Sequence, residues 1–170
     1  MSNTQKKILM IAVIGILVAV NIILSRFLSI SIWSSKIGFA FITVAIAARL
    51  YGPLPAILVA GLGDFLGAIL FPIGPYFPGF TLTAVLTALC TSLFVYKKTS
   101  FPRVVTSVLI NEIIGSLILN TMWISILYGN HFLEFLGTRV FQTVLMIIVE
   151  IIVMQWLYTK GDRLLGKLKV

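Results

Sequence analysis

Three acidic side chains interrupt the apolar segments of this sequence, where burying a charge is costly and therefore favours a functional role. Asp64, Glu112 and Glu150 each stand alone in a long apolar run. Acids in such positions are typical of proton relays and of cation-coupled carriers. However, none has a histidine or a second acid nearby in sequence. For Asp64 and Glu112, which we expect towards the cytoplasmic ends of their helices, interhelical hydrogen bonding is the simpler role.

Catalytic, metal and cofactor chemistry find little support in the sequence. The single histidine, His131, follows no metal-ligand spacing and has no nucleophile–base pattern around it. No glycine-rich phosphate loop is present, so we expect no ATP hydrolysis by this chain. The single Cys90 excludes an internal disulfide framework. The sequence thus predicts no catalytic residue, no metal ligand and no cofactor, and an intramembrane enzyme using His131 is only a distant alternative.

The composition is that of an integral membrane protein. Of 170 residues, 59% are hydrophobic and 11% are charged, whereas soluble domains carry about 25% charged residues. The apolar runs are continuous and do not alternate with polar residues, which favours helices over a β-barrel. At roughly 20 residues per span, the length accommodates six helices. We therefore predict an all-α fold, a compact bundle of six transmembrane helices that forms one domain over residues 1–170.

The positions of the cationic residues predict the orientation of this bundle. We expect helices at about 8–24, 37–50, 53–70, 79–96, 102–128 and 138–158. Ten cations then fall on one side: Lys6, Lys7, Arg49, Lys97, Lys98, Arg103, Lys160, Arg163, Lys167 and Lys169. The other side has three: Arg26, Lys36 and Arg139. The positive-inside rule places both termini in the cytoplasm, and the net charge of +8 then reflects topology and not a nucleic-acid partner.

The outer side holds an unusual connection, Phe71–Thr81, and the three cations that run against the charge trend. The connection contains three prolines, which break helices, together with four aromatic residues. A simple connector would be polar, so this segment is typical of a lid or wall for a flat apolar ligand. The cations either anchor helices by snorkelling or bind a ligand that is both anionic and aromatic.

A face of small residues lies on the first predicted helix. Gly15 and Ala19 are four residues apart, and Ala12 lies on a nearby face. Small residues at this spacing let another helix approach closely. The approaching helix belongs either to the bundle itself or to a partner protein, and the pattern alone fits both.

Several short motifs resemble the substrate-binding (S) components of energy-coupling factor (ECF) vitamin transporters, and in particular the folate-specific branch. The general motifs are Arg26, Lys36-Ile-Gly-Phe39, Tyr51-Gly-Pro53, Gly63-Asp64 and Tyr76-Phe-Pro-Gly-Phe-Thr81. Asn120-Thr-Met-Trp123 followed by Arg139 fits the folate branch. The family's docking motif is typically Ala-x-x-x-Ala, whereas this chain has Gly15-x-x-x-Ala19.

The resemblance implies a non-catalytic, multi-pass protein of the bacterial plasma membrane that captures a vitamin such as folate from outside. Its partners would be a transmembrane coupling protein and two cytosolic ATPases. The expected ligand-binding residues are Arg26, Trp33, Lys36, Tyr76, Phe77, Gly79, Phe80, Asn120, Trp123 and Arg139, and the expected docking residues are Ala12, Gly15 and Ala19. Two alternatives stay open: an S component for pantothenate, riboflavin or biotin, and a stand-alone proton-coupled carrier.

Overall fold

The computed structural model describes residues 2–32, 35–129 and 131–165, which form a helical bundle with one small hairpin. The elements in chain order are α1 (Asn3–Arg26), β1 (Ile30–Ile32), β2 (Ser35–Ile37), α2 (Phe41–Tyr51), α3 (Pro53–Leu70), α4 (Pro78–Val95), α5 (Phe101–Ile110), a π-helical segment (Asn111–Asn120), α6 (Thr121–Tyr128) and α7 (Phe132–Leu165). The π-helical segment joins α5 to α6 without a break in the helix.

Five helical stretches in the described residues are long and apolar enough to cross a membrane. They are Asn3–Arg26, Pro53–Leu70, Pro78–Val95, Phe101–Tyr128 and Arg139–Gly161. The second predicted span, 37–50, corresponds to α2, which has 11 residues and begins at Phe41. At 1.5 Å per residue, α2 is roughly 17 Å long, about half the thickness of the hydrocarbon core.

The hairpin departs from the all-α prediction. Strands β1 and β2 pair antiparallel, with Ile30 opposite Ile37 and Ser31 opposite Lys36. The sequence carries part of the signal, because apolar and polar residues alternate from Ile30 to Ile32, and a period of two favours a strand. Ser35-Lys36-Ile37 shows no such alternation. The segment is too short for a further span, so the hairpin connects α1 to α2.

The last helix begins earlier than predicted. The sequence indicated a loop over 129–137 and a helix capped by Thr138, but α7 already begins at Phe132. Gly129, with φ of 70°, ends α6 in the left-handed conformation that glycine adopts without strain. The amide of Glu134 donates to the carbonyl of His131 at 3.0 Å, which starts the new helix. Most of the predicted loop is therefore helical.

Proline and a positive-φ glycine define the start of α3. Pro53 occupies the first turn, where its missing N–H costs nothing. Gly52 precedes it with φ of 88°, and a Cβ at this position would lie 3.0 Å from the Tyr96 ring. Arg49 donates to the Tyr96 carbonyl at 2.9 Å. The turn between α2 and α3 and the end of α4 thus meet at one end of the bundle, the Arg49 end.

Many alanines lie in the core, and many large apolar side chains face outwards. Ala45, Ala47, Ala48, Ala56 and Ala88 are fully buried, which lets the helices approach closely. Large outward side chains are Ile11, Ile16, Leu93, Phe141 and Trp156, each more than 60% exposed. A soluble monomer rarely exposes so much contiguous apolar surface, so this organisation fits a lipid environment.

Candidate ligand-binding site

The bundle surrounds a cavity of about 930 Å³, a volume in the upper range for small-molecule sites. Residues from α1, α2, α3, α4, the π-helical segment, α6 and α7 line it, together with residues 73–76 of the connection before α4. From α7 the lining residues are Arg139, Gln142, Met146, Glu150 and Met154. Their spacing of three or four residues places them on one face of the helix, so the middle part of α7 borders one continuous space.

At one end of the cavity, the Arg26 end, a polar network joins α1, α3 and α4. Arg26 Nη2 lies 3.6 Å from Asp64 Oδ1 and donates to the Asp64 carbonyl at 3.2 Å. The Thr81 hydroxyl donates to Asp64 Oδ2 at 2.6 Å. Since Thr81 has a single hydroxyl hydrogen, the Tyr76 hydroxyl, 3.1 Å away, must donate to Thr81. The connection before α4 is thereby tied to Arg26 through two intermediate side chains.

Gly67 makes room for Arg26 in this network. A Cβ at residue 67 would lie 2.9 Å from Arg26 Nε, closer than such contacts occur. The Nε atom itself is buried and has no hydrogen-bond partner among the described residues. Asp64 lies six residues before the end of α3, at the Arg26 end of the bundle.

An aromatic cluster stabilises the first turn of α4. Phe77 packs on Trp123 with ring centroids 5.6 Å apart and on Phe80 at 6.3 Å. A Cβ at Gly79 would meet Trp123 at 2.5 Å and Phe77 at 2.7 Å, so only glycine fits between these rings. Trp123 Nε1 donates to Thr83 Oγ1 at 3.0 Å. This cluster fastens α6 to α4 beside the cavity.

Polar side chains of the π-helical segment and α7 meet in the middle of the bundle. Arg139 Nη2 donates to the Ser116 carbonyl at 3.0 Å, and the Ser116 side chain hydrogen bonds with the Glu112 carboxyl. Glu112 also interacts electrostatically with Arg139 and with Glu150. These three charged residues are more than 90% buried and line the cavity. A wide helical turn such as the π-helix is often found at functional sites.

The predicted ligand-binding residues fall into three groups in the structure. Arg26, Tyr76, Phe80, Asn120 and Arg139 line the cavity. Phe77, Gly79 and Trp123 belong to the aromatic cluster beside it. Trp33 lies outside the described residues, and Lys36 lies in β2 with a side chain that is not described. Arg139 was predicted in the first turn of the last helix, on the outer side. Because α7 already begins at Phe132, Arg139 lies two turns into the helix and is buried.

Sequence reasoning did not include several polar residues that line the cavity. They are Asn21, Asp64, Asn111, Glu112, Gln142 and Glu150. The signal was present on α7, where Arg139, Gln142 and Glu150 share a helical face in an otherwise apolar segment. Asn111 is held by a bond from its Nδ2 to Thr91 Oγ1 at 2.7 Å, which joins the π-helical segment to α4.

The predicted docking residues lie on the outward face of α1. Ala12, Gly15 and Ala19 are exposed, and a Cβ at Gly15 would meet no atom within 4 Å. Internal packing, one of the two roles open from the sequence, therefore does not account for Gly15. By contrast, Asn21 of the same helix is buried against Gly63.

Comparison with known proteins gives consistent matches over most of the chain. A family model described as "ECF transporter, substrate-specific component" matches residues 9–158. The folate transporter FolT of Clostridium novyi (strain NT) is 37% identical over 161 residues, which cover 94% of each chain. FolT of Leuconostoc mesenteroides subsp. mesenteroides is 34% identical over 145 residues, covering 81% of this chain and 78% of that protein.

A solved structure shares the fold as well as the sequence. The crystal structure of FolT bound with folic acid superimposes with a TM-score of 0.83 at 33% identity, covering 88% of this chain and 92% of that one. The short sequence motifs predicted this relationship, and the matches confirm it. Since the family model and both relatives extend over at least four fifths of its length, the chain belongs to the substrate-specific components of ECF transporters.

Proposed function

We propose that this protein is a high-affinity folate-binding subunit of an ATP-driven vitamin uptake system in the bacterial plasma membrane. The observation that carries the proposal is the large polar and aromatic cavity in a chain whose fold matches FolT bound with folic acid. The subunit itself carries out no catalysis. It captures its ligand from outside, and a coupling protein with two ATPases drives delivery.

The chemistry of the cavity fits the two parts of folate. The pterin is flat, with hydrogen-bonding edges, and Tyr76, Phe80 and Asn120 line a space that can accept such a ring. The glutamate tail is anionic, and Arg26 lines the cavity at the end where Tyr76 and the connection before α4 lie. Charge-assisted hydrogen bonds from a guanidinium to carboxylates are strong and directional. Trp33 and Lys36 are further proposed contacts from the hairpin, and Phe77, Gly79 and Trp123 shape the wall.

The proposed membrane arrangement has six helices that form one domain over residues 1–170, with both termini in the cytoplasm. Five long apolar helices and the short α2 support this count. The Arg49 end would then face the cytoplasm, consistent with the ten-to-three distribution of cations, and the Arg26 end would face outwards. Cysteine-accessibility labelling in intact cells tests this: Gly74→Cys should react with an impermeant reagent, whereas Lys98→Cys should not.

Equilibrium binding with purified protein in detergent tests the proposed ligand. We expect sub-micromolar affinity for folate and much weaker binding of pantothenate, riboflavin and biotin. Tight binding of one of the other vitamins would assign the protein to another branch of the family. Folate uptake into proteoliposomes should require the coupling protein and ATPases, and uptake driven by a pH gradient without them would instead indicate a proton-coupled carrier.

A further inference from the structure

The two ends of the cavity differ in their charge. At the Arg26 end, one guanidinium and one carboxylate, Arg26 and Asp64, form an ion pair. In the interior, Glu112 interacts electrostatically with one cation, Arg139, and with a second acid, Glu150. The interior therefore has one acid more than it has bases. Because carboxyl oxygens accept hydrogen bonds, a ligand group rich in N–H donors fits the interior better than an anionic group does.

Glu112 is an interior acid with one unsatisfied carboxyl oxygen. It is 8% exposed and lines the cavity. Ser116 hydrogen bonds with its carboxyl group, but within residues 2–32, 35–129 and 131–165 its Oε2 has no hydrogen-bond partner. Leaving a buried acceptor unsatisfied is unfavourable, and more so for a charged group. Because Glu112 borders the cavity, a donor that satisfies Oε2 can come from a ligand there.

The surroundings of Glu112 keep its carboxyl group in place. Glu112 lies in the π-helical segment, and Arg139 bonds to the Ser116 carbonyl one turn further along that segment. Asn111, its neighbour, bonds to Thr91 on α4. The segment is thus held to α7 on one side and to α4 on the other. A carboxyl group fixed in this way is suited to discriminate between ligands by hydrogen bonding.

We propose that Glu112 determines specificity for the heterocycle of the ligand, an inference that rests on the proposed folate binding. The 2-amino-4-oxo edge of a pterin presents an exocyclic amino group beside a ring N–H. Glu112 Oε2 accepts a hydrogen bond from the amino group, and the remaining lone pair on Oε1 accepts from the ring N–H. These two parallel N–H donors match the two oxygens of a carboxylate, in the same way as the paired N–H groups of an arginine do. The ring then lies in the interior, and the glutamate tail points towards Arg26.

This assignment is tested with folic acid and its 2-desamino-2-methyl analogue, which lacks the amino donor. Both ligands are titrated against the purified protein and against Glu112→Gln. We expect the wild-type protein to prefer folic acid by about 10- to 100-fold, the range for a hydrogen bond to a charged group. Glu112→Gln should bind folic acid more weakly and lose most of this preference, because its amide N–H₂ faces the ligand's donors. A merely structural residue would weaken both ligands equally.

Two control variants sharpen the outcome. Glu150→Gln removes the neighbouring acid and should retain the preference for folic acid. If Glu150→Gln loses the preference and Glu112→Gln keeps it, the assignment is overturned. Glu134→Gln, at an exposed site outside the cavity, should behave as wild type. If Glu112→Gln fails to fold, the wild-type protein decides: equal affinity for both ligands overturns the assignment. A wild-type protein that binds no folate contradicts the proposed function itself, which is a separate outcome.

Discussion

The guanidinium of Arg26 lies 3.6 Å from the carboxylate of Asp64 and donates to the backbone carbonyl of the same residue. The pair crosses from the last residue of α1 to the last third of α3, directly beside the cavity. The distance of 3.6 Å between Arg26 Nη2 and Asp64 Oδ1 is long for a hydrogen bond, and Arg26 Nε has no hydrogen-bond partner among the described residues. This guanidinium therefore has unused N–H donors. Asp64 therefore positions Arg26 but leaves some of its N–H groups available to a ligand. Snorkelling of Arg26 to the membrane surface, the other role considered from the sequence, does not require this ion pair.

The first prediction concerns the recognition of ligand carboxylates by Arg26. Arg26→Ala should weaken folate binding by about 1.5–3 kcal/mol, the value of a hydrogen bond to a charged group. Pteroic acid has no glutamate tail, so its affinity should change little. Isothermal titration of both ligands against both proteins measures the difference.

Arg49→Ala is the matched control for this experiment. Arg49 donates to the Tyr96 carbonyl at the opposite end of the bundle, and its removal should leave the folate-to-pteroate ratio unchanged. If Arg26→Ala weakens folate and pteroate to the same extent, Arg26 supports the packing of α1 on α3 and does not contact the tail.

The second prediction concerns the attachment of the connection before α4. Thr81→Val removes the hydroxyl that bridges Tyr76 and Asp64 and keeps the shape of the side chain. We expect faster dissociation of folate with a smaller change in the association rate, because the closed connection loses its link to α3. Stopped-flow fluorescence measures both rates. Thr106→Val, whose hydroxyl bonds only to the Pro102 carbonyl in its own helix, is the control, and equal dissociation rates for the two variants would contradict the prediction.

The sequence predicted the family and the apolar helices because both depend on local signals. Continuous apolar runs indicate spans whatever their neighbours are, and motifs such as Tyr76-Phe-Pro-Gly-Phe-Thr81 are read residue by residue. The start of α7 was missed because Gly129 and Gly137 both resemble helix boundaries. Only Gly129 has a positive φ, and Gly137 continues the helix, where a Cβ would meet no atom within 4 Å.

The composition of the site was harder to predict because it depends on pairing between distant helices. Asp64 meets Thr81 across 17 residues, and Trp123 meets Thr83 across 40. No local pattern shows that Arg139 lies opposite Glu112, since this requires both the early start of α7 and the π-helical turn. Five of the predicted ligand-binding residues line the cavity, but the acids were set aside because each is isolated in sequence.

The third prediction concerns the close contact between α4 and α6. Gly79→Ala places a methyl group 2.5 Å from Trp123 and 2.7 Å from Phe77, so rings or helices must shift. Overpacking of this kind costs about 1–3 kcal/mol, and we expect a lower unfolding temperature in detergent and weaker folate binding. Gly15→Ala adds the same methyl group in open space and should leave both unchanged. Equal unfolding temperatures for the two variants would show that α4 and α6 do not pack this closely.

The fourth prediction concerns the outward face of α1. Gly15→Leu introduces a bulky side chain at an exposed position, where a Cβ would meet no atom of the described residues within 4 Å. The isolated protein should therefore keep its unfolding temperature and its affinity for folate. If the coupling protein packs on the face formed by Ala12, Gly15 and Ala19, the same variant should fail to form the complete complex and lose folate uptake in proteoliposomes.

A second open glycine separates this docking effect from a general effect of added bulk. Gly137→Leu, on α7, also adds a leucine where a Cβ meets no atom within 4 Å, and it should assemble and transport as wild type. Small residues allow close helix contact because their backbones can approach each other, so the loss should grow with side-chain size from Gly15→Ala to Gly15→Leu. Normal uptake by Gly15→Leu would exclude this face as the docking surface, whereas unfolding of the variant would show that α1 packs differently from the structure.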